Sequence, residues 1–469
     1  MARRALVTQK LAYPDATALR MQLQSGEITS EQLVKEHLDR LAIYNKELNA
    51  ATEIFREDAL ALAKNPMAGK LSGIPVSVKE TYGMAGKMVT QGSKRSTPAF
   101  SPEDAYIVKR LKEEGAIIIA RTNIPEFAMT PECDNLLYGR TNNPLNLDRT
   151  CGGSSGGEGA LVGSGCSVLG IGSDIGGSVR YPASFCGVVG FKPASASINK
   201  TGMYPIVQGN LGTMLAAGPL TRSVRDARLV YNLVTDKPLP DAPMTDFSKL
   251  NLFYPQIYRK KLADPEISEA VGNTHALLLQ AGLQKTHGDF SDATELIKAY
   301  NQLIIAGFEG EMHASLMGGE KGKRISLMQE SWLQMTGKPT VHTHIFQMLV
   351  GMSALRPSPK QVQAATDLVE NARKKYNEML GENGIWVLPS VGCLAPKHGN
   401  FVGQLRTLGI AEAMKPTILC NILNLPCITL PAWKYKNEST GLVPGVTLVS
   451  KAGSEHQLLS VAQWLEDKI

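Results

Sequence analysis

Residues 151–193 read CGGSSGGEGALVGSGCSVLGIGSDIGGSVRYPASFCGVVGFKP. Their glycines gather in two clusters around serines, Gly152-Gly153-Ser154-Ser155-Gly156-Gly157 and Gly172-Ser173-Asp174-Ile175-Gly176-Gly177-Ser178, with an apolar run between them that is almost free of charge. A Gly/Ser linker is polar throughout. Here Ala160-Leu161-Val162 and Val168-Leu169-Gly170-Ile171 read as buried segments, so the glycines mark places where the backbone turns with positive φ or comes close to another group. A serine placed just after such a turn is presented on bent backbone, with successive N–H groups free to point at an anion.

Outward from this stretch, strands alternate with helices. On the N-terminal side, Thr29 and Gln32 form a capping box ahead of Leu33, Val34, Leu38, Leu41 and Tyr44 at helical spacing. Gly73-Ile74-Pro75-Val76-Ser77-Val78-Lys79-Glu80 alternates over a strand length and delivers Lys79 at its end; Pro75 implies an edge strand or an early strand position. A helix over 104–114 ends at Gly115, and Ala116-Ile117-Ile118-Ile119-Ala120 follows as a buried strand. On the C-terminal side, 385–389, 427–430 and 446–449 read as further buried strands. Between them, residues 240–380 are richer in Lys and Glu, with helical patterns over 266–283 and 360–380. The alternation indicates the α/β class. One large domain over residues 1–469 is expected, with a central mixed, twisted sheet flanked by helices and with 240–380 as a helical cap or insertion within it.

The chain's 469 residues exceed most single cores, though large α/β enzymes reach this size around one sheet. With 43% hydrophobic and 20% charged residues and a mean hydropathy near zero, the composition is that of a soluble globular protein. The net charge of +6 is small for the length and no long block of like charges occurs, so no nucleic-acid partner is expected. Seven cysteines without a CxxC pair, and no apolar stretch after Arg3 and Arg4 that reads as a signal peptide, point to reduced thiols and a cytoplasmic location. The long uncharged windows 201–221 and 416–433 are broken by glycines and prolines, so neither reads as a transmembrane helix.

None of the eight histidines lies in a G-x-S-x-G elbow or an H-E-x-x-H pair. His342-Thr343-His344 on a strand would place both imidazoles on one face, but no third ligand is in view and no metal site is expected. The glycine clusters also lack the strand-then-acid context of a dinucleotide fold. A serine nucleophile still needs a base, and with no histidine placed, lysine is the remaining common choice. Lys79, arriving at the end of an apolar strand, is a candidate because desolvation disfavours its ammonium form. A lone lysine at a strand end is, however, usually solvated.

The run GGSSGGEGA followed by GSDIGGSVRYPASFCGVVGFKP strongly resembles the amidase signature family of serine hydrolases, and Cys133-Asp134-Asn135-Leu136-Leu137-Tyr138-Gly139-Arg140-Thr141-Asn142-Asn143-Pro144 looks like the lead-in found there. The resemblance covers residues 25–230 well and 380–465 faintly, while the middle third matches little. It implies the amidase signature fold and a Ser/Ser/Lys triad: Ser178 as nucleophile, Ser154 as the bridging serine after a cis Gly153–Ser154 bond, and Lys79 as base. The backbone N–H groups of Ile175, Gly176, Gly177 and Ser178 would form the oxyanion hole, and Ala128 and Met129 would face the acyl channel. Such a relay needs neither metal nor nucleotide, so no cofactor is implied. Ser155 and Ser173 read as hydrogen-bonding supports of the two turns, Asp174 and Arg180 as a charge pair bracing the loops, and Cys151 and Cys186 as small buried filler.

Glu158 and Ile175 are more similar to the fatty acid amide hydrolase branch than to the glutaminase subunit of tRNA-dependent amidotransferases. This resemblance implies cleavage of a carboxylic amide, an N-acyl amide with an apolar acyl group, through an acyl-enzyme on Ser178. The glutamine-hydrolysing subunit of a tRNA-dependent amidotransferase and a broad small-amide amidase are the alternatives. A non-catalytic binding protein on the same scaffold is disfavoured, because all three triad positions carry the required residue types. The expected partner is a small lipophilic amide. Peripheral membrane contact through a patch such as Ile345-Phe346-Gln347-Met348-Leu349-Val350 and a homodimer are compatible with the chain, a buried helix being the safer assignment for that patch.

Overall fold

Glycines two apart on a strand share a face, and Gly170 and Gly172 do so within Leu169–Asp174. In the computed structural model, which describes residues 5–10, 13–95, 99–254, 264–308, 326–399 and 410–469, the helix Gly156–Gly163 packs on that face. A Cβ at Gly170 would lie 2.0 Å from Glu158 Oε2, and one at Gly172 would lie 2.6 Å from Ser155 Oγ. A side chain at either position would have to displace the Glu158 carboxyl or the Ser155 hydroxyl from where it packs. Of the two uses expected for these glycines, close approach is the one realised here.

Among the described residues the central sheet has 11 strands. They are β1 (Ala51–Ile54), β2 (Pro75–Lys79), β3 (Ile117–Thr122), β4 (Leu169–Asp174), β5 (Val189–Lys192), β6 (Ala216–Thr221), β7 (Asn251–Phe253), β8 (Gln284–Thr286), β9 (Gly384–Pro389), β10 (Cys427–Pro431) and β11 (Gly445–Val449). Their spatial order is β1-β3-β2-β4-β6-β5-β10-β11-β9-β7-β8. The sheet is mixed: β2 runs parallel to β3 and β4, β7 runs parallel to β8 and β9, and the remaining neighbours are antiparallel. Helices cover the sheet, and the core runs through Val76, Val78, Ile118, Leu169, Ile171, Val387, Ile428 and Leu448, all buried.

Strand β2 therefore lies inside the sheet, not at its edge, and Pro75 occupies its first position, where its missing N–H does not interrupt the ladder. Lys79, at the other end, is fully buried because β3 and β4 flank it and Thr122 stands opposite it in register. The helix expected near residue 30 runs Ser30–Leu48, with both hydrogen bonds of the Thr29/Gln32 capping box formed. The helix expected over 104–114 runs Tyr106–Glu113, and the strand after it is β3.

Within 240–380, residues 255–263 and 309–325 lie outside the described residues. The expected helices are Pro265–Gln280 and Pro359–Leu380. The same stretch also supplies β7 and β8, two short strands that extend the sheet at one edge, so it is not helical throughout. Helix Thr343–Ala354 buries Ile345 and Leu349 against Phe127 and Leu211 and half-buries Phe346 and Met348, while Gln347 and Val350 are exposed, so the 345–350 patch is interior on one helix face only. His342 and His344 are not on a strand: His342 is the N-cap of that helix, and its Nδ1 faces the His344 N–H at 3.3 Å.

Candidate active site

Lys79 Nζ lies 2.7 Å from Ser154 Oγ and 2.9 Å from Ser173 Oγ. Three elements meet to make these contacts: the end of β2, the turn before the Gly156–Gly163 helix, and the end of β4. The Gly153–Ser154 peptide bond is cis. Burial pulls the Lys79 ammonium down to about 7, so near neutral pH a large share of the lysine is a free amine able to accept a proton. The sequence placed Ser173 only as a support of its turn. In the structure it is also the second hydroxyl that orients the lysine nitrogen.

Ser178 joins this group through the loop that leaves β4. Ser155 N–H donates to Ser178 O at 3.1 Å, tying the two serine turns together. Ser154, Ser173 and Ser178 line one narrow pocket of ≈ 50 Å³ with Phe127, Ala128, Met129, Ile175, Met203 and Leu215 among its walls. Ala128 and Met129, named above for the acyl channel, thus stand on the same pocket as the serines. Phe127 and Ala128 both hold φ 56, a left-handed conformation that is uncommon for residues with a Cβ and that costs on the order of 1–3 kcal/mol each.

The Ile175–Ser178 loop is held from several sides. Asp174 and Arg180 form a buried fork, with Nη2–Oδ1 at 2.8 Å and Nε–Oδ2 at 3.0 Å. Asp174 also accepts the Gly177 and Val179 N–H groups at 2.8 and 3.0 Å. The Gly177 N–H, one of four assigned above to the oxyanion hole, is thus directed at Asp174 in this structure. Among the described residues no hydrogen bond takes up the N–H of Ile175, Gly176 or Ser178. Tyr300 Oη donates to Ile175 O at 3.0 Å, and Asn421 Nδ2 donates to Asp174 O at 3.2 Å.

Burial alone would raise the Asp174 carboxyl, but the Arg180 guanidinium holds it well below the usual carboxylate range. A depressed folded-state value means that the pair stabilises above the unfolded carboxylate pKa and that this contribution is lost as pH falls through the folded value. Asp174→Asn leaves Arg180 buried and unpaired, and is expected to lower unfolding free energy by about 3–5 kcal/mol at pH 7. The difference from wild type is expected to narrow below about pH 4, where the carboxylate of the unfolded chain begins to take up a proton while the folded one still does not. Urea titrations at both pH values check this, and equal stability at pH 7 would remove the bracing role.

Tyr300, Thr417 and Asn421 went unremarked in the sequence. They come from helices Ala293–Gly307 and Ile410–Ile422, and no local motif marks them. Thr417 O accepts from Arg180 Nη1 at 3.0 Å, and Asn421 Oδ1 accepts from Arg180 Nη2. Cys151 and Cys186 are buried, and burial pushes both thiols up, as suits inert filler.

The family model described as Amidase matches residues 32–459. The chain is 30% identical to fatty-acid amide hydrolase 2-B of Danio rerio, over 98% of this chain and 90% of that one. It is 28% identical to the A subunit of glutamyl-tRNA(Gln) amidotransferase of Synechococcus sp. (strain CC9605), over 96% of this chain and 95% of that one. The solved structure of 6-aminohexanoate cyclic dimer hydrolase complexed with substrate matches with a TM-score of 0.79 at 26% identity, covering 97% of this chain and 96% of that one.

Proposed function

This chain belongs to the amidase family and is an amide hydrolase, and from that premise we propose that it cleaves N-acyl amides with an apolar acyl group, through an acyl-enzyme on Ser178. The observation that carries the substrate class is the pocket wall. Phe127, Met129, Ile175, Met203 and Leu215 surround Ser154 and Ser178, and no charged side chain lines the pocket among the described residues.

In this reading Lys79 Nζ, as free amine, takes the proton of Ser154 while Ser154 Oγ takes that of Ser178. Ser178 Oγ bonds to the amide carbon, and the carbonyl electron pair moves onto oxygen. The N–H groups of Ile175, Gly176 and Ser178 meet that oxyanion, with the Gly177 N–H shared with Asp174. The relay then runs backward: Lys79 returns its proton through Ser154 to the nitrogen, the C–N bond breaks, and the amine leaves. Water, deprotonated by the same relay, attacks the ester and restores Ser178. Ser173 Oγ keeps Nζ aimed at Ser154 throughout.

A glutamine substrate brings an ammonium and a carboxylate, and burying either without a partner costs at least several kcal/mol. An apolar acyl chain instead gains about 0.8 kcal/mol per buried methylene. Met129 and Met203 have unbranched side chains that repack to admit a longer guest. Hydrolysis of N-acyl amides of increasing acyl length, read by released amine, is expected to show kcat/KM rising by up to about fourfold per methylene until the pocket is filled. Turnover confined to glutamine or to short amides would refute the apolar-acyl reading and favour the glutamine-hydrolysing amidotransferase component or the broad small-amide amidase.

Peripheral membrane contact attaches to a different surface from the 345–350 patch. Met328, Trp332 and Met335, at 85%, 58% and 77% exposure, share one face of helix Leu327–Met335. No helix among the described residues is long and apolar enough to cross a membrane, whereas an exposed aromatic and two methionines on one face suit a lipid interface. Addition of phosphatidylcholine vesicles is expected to blue-shift Trp332 fluorescence, read as the difference between wild type and Trp332→Phe. No difference between the two would remove this surface from consideration.

A further inference from the structure

Glu158 is an acidic side chain with no exposure, sitting over β2, which carries the lysine, and its two neighbours β3 and β4. Ser77 Oγ lies 2.5 Å from its Oε2, and Thr122 Oγ1 lies 2.7 Å from its Oε1. Ser77 shares the face of β2 with Lys79, two residues away, and Thr122 is the register partner of Lys79 on β3. Gly170, the partner of Ser77 on β4, has no Cβ where Oε2 sits. The carboxyl group therefore links the strand bearing Lys79, its neighbour, and the helix that follows Ser154. This is a place prepared for one carboxyl group, two strand positions from the amine.

We propose that Glu158 is a positioning residue that holds a proton in the resting site, so that Lys79 faces Ser154 as a free amine and not as the cation of an ion pair. The inference rests on the reading of Lys79 as base. Among the described residues no lysine, arginine or histidine nitrogen forms a salt bridge with this fully buried carboxyl, and its two neighbours are hydroxyls, which pair with the acid form as well as with the anion but bring no charge to offset one. Burial pushes the Glu158 carboxyl up to about 8, against the opposing hydrogen bonds of Ser77 and Thr122 and the charge of Lys79. Among the described residues the other groups around it supply no competing cation: the Tyr82 hydroxyl after β2 donates to Gly172 O at 2.8 Å, and Asp174 at the end of β4 is paired with Arg180. Cys133 packs near the start of the Glu158 helix, beside Gly156.

The consequence lies in the return step. Lys79 becomes an ammonium when it takes the Ser154 proton and must release it to the leaving amine. An ionised Glu158 would trap that ammonium, because a buried ion pair strongly favours the charged lysine. A neutral Glu158 leaves the proton free to go back.

The first measurement is the infrared spectrum of the wild-type enzyme at pH 7 minus that of Glu158→Gln, with fluorophosphonate labelling of Ser178 on the same wild-type sample. The expected result is a carboxylic-acid carbonyl band in wild type that Gln removes. The acid limb of kcat/KM in Glu158→Gln is then expected to stay within about 0.3 pH of wild type. Glu158→Leu, which strands both hydroxyls, is expected to lower kcat by about tenfold or more, and Gln recovers most of that loss. A labelled enzyme with no such band, and an acid limb that moves down by about one pH unit or more in Glu158→Gln, overturns the assignment alone, since Glu158 is then a charged counter-ion. Absence of labelling overturns the serine-hydrolase reading beneath it.

Discussion

Ser178→Ala is expected to lower amide hydrolysis by about 10⁴-fold or more and to abolish fluorophosphonate labelling. Removing the attacking oxygen leaves nothing for the Lys79–Ser154 pair to activate, and only the loop N–H groups still act on the carbonyl. The loss belongs in kcat, with KM little changed, because the apolar walls proposed to hold the acyl group stay in place. Ser155→Ala is the contrast. Its hydroxyl serves the Ser173 backbone, with both contacts at 3.3 Å, so its loss is expected to stay within about tenfold. Released amine from a purified variant, compared with wild type, reads both. Full activity in Ser178→Ala would mean that the nucleophile lies elsewhere.

Lys79→Ala gives the second large effect, and its signature is the dependence on pH. Burial holds the Lys79 ammonium at about 7; below that the lysine is charged and cannot accept the Ser154 proton, and above it the amine is free. Wild-type acylation is therefore expected to rise through neutral pH and then level off. The variant lacks that limb, and its residual rate grows with hydroxide. A loss of about 10²–10⁴-fold near pH 8 is expected, shrinking toward about pH 10. Pre-steady-state acylation at several pH values reads this directly, and a deficit constant with pH would exclude Lys79 as the base.

What a residue's near neighbours decide was legible in the sequence. The capping box and periodicity of Ser30–Leu48 and the alternation of β2 depend on contacts a few residues apart. The glycines of the motif were legible as marking either positive φ or close approach, and only the packing of the Gly156–Gly163 helix decided for close approach at Gly170 and Gly172. The long serine-glycine motif carried Ser154 and Ser178 through family resemblance. The strands β7 and β8 were not legible: each is three residues long, and β8 has no buried residue, so no hydrophobic period marks it.

The tertiary structure alone decided the state of the site. A lysine at a strand end is usually solvated; Lys79 is buried because β3 and β4 close around β2. Its contact with Ser154 spans 75 positions, and the Tyr300 bond to Ile175 spans 125. Ser173, Tyr300, Thr417 and Asn421 acquire their roles only when distant elements meet, and no local pattern encodes that meeting. A local sequence signal reports backbone preference and burial period, whereas proton affinity depends on which charges and dipoles come within a few ångströms after folding. The residue types proposed for the chemistry were therefore readable in advance, whereas the full burial of Lys79 and the hold on the Ile175–Ser178 loop were not.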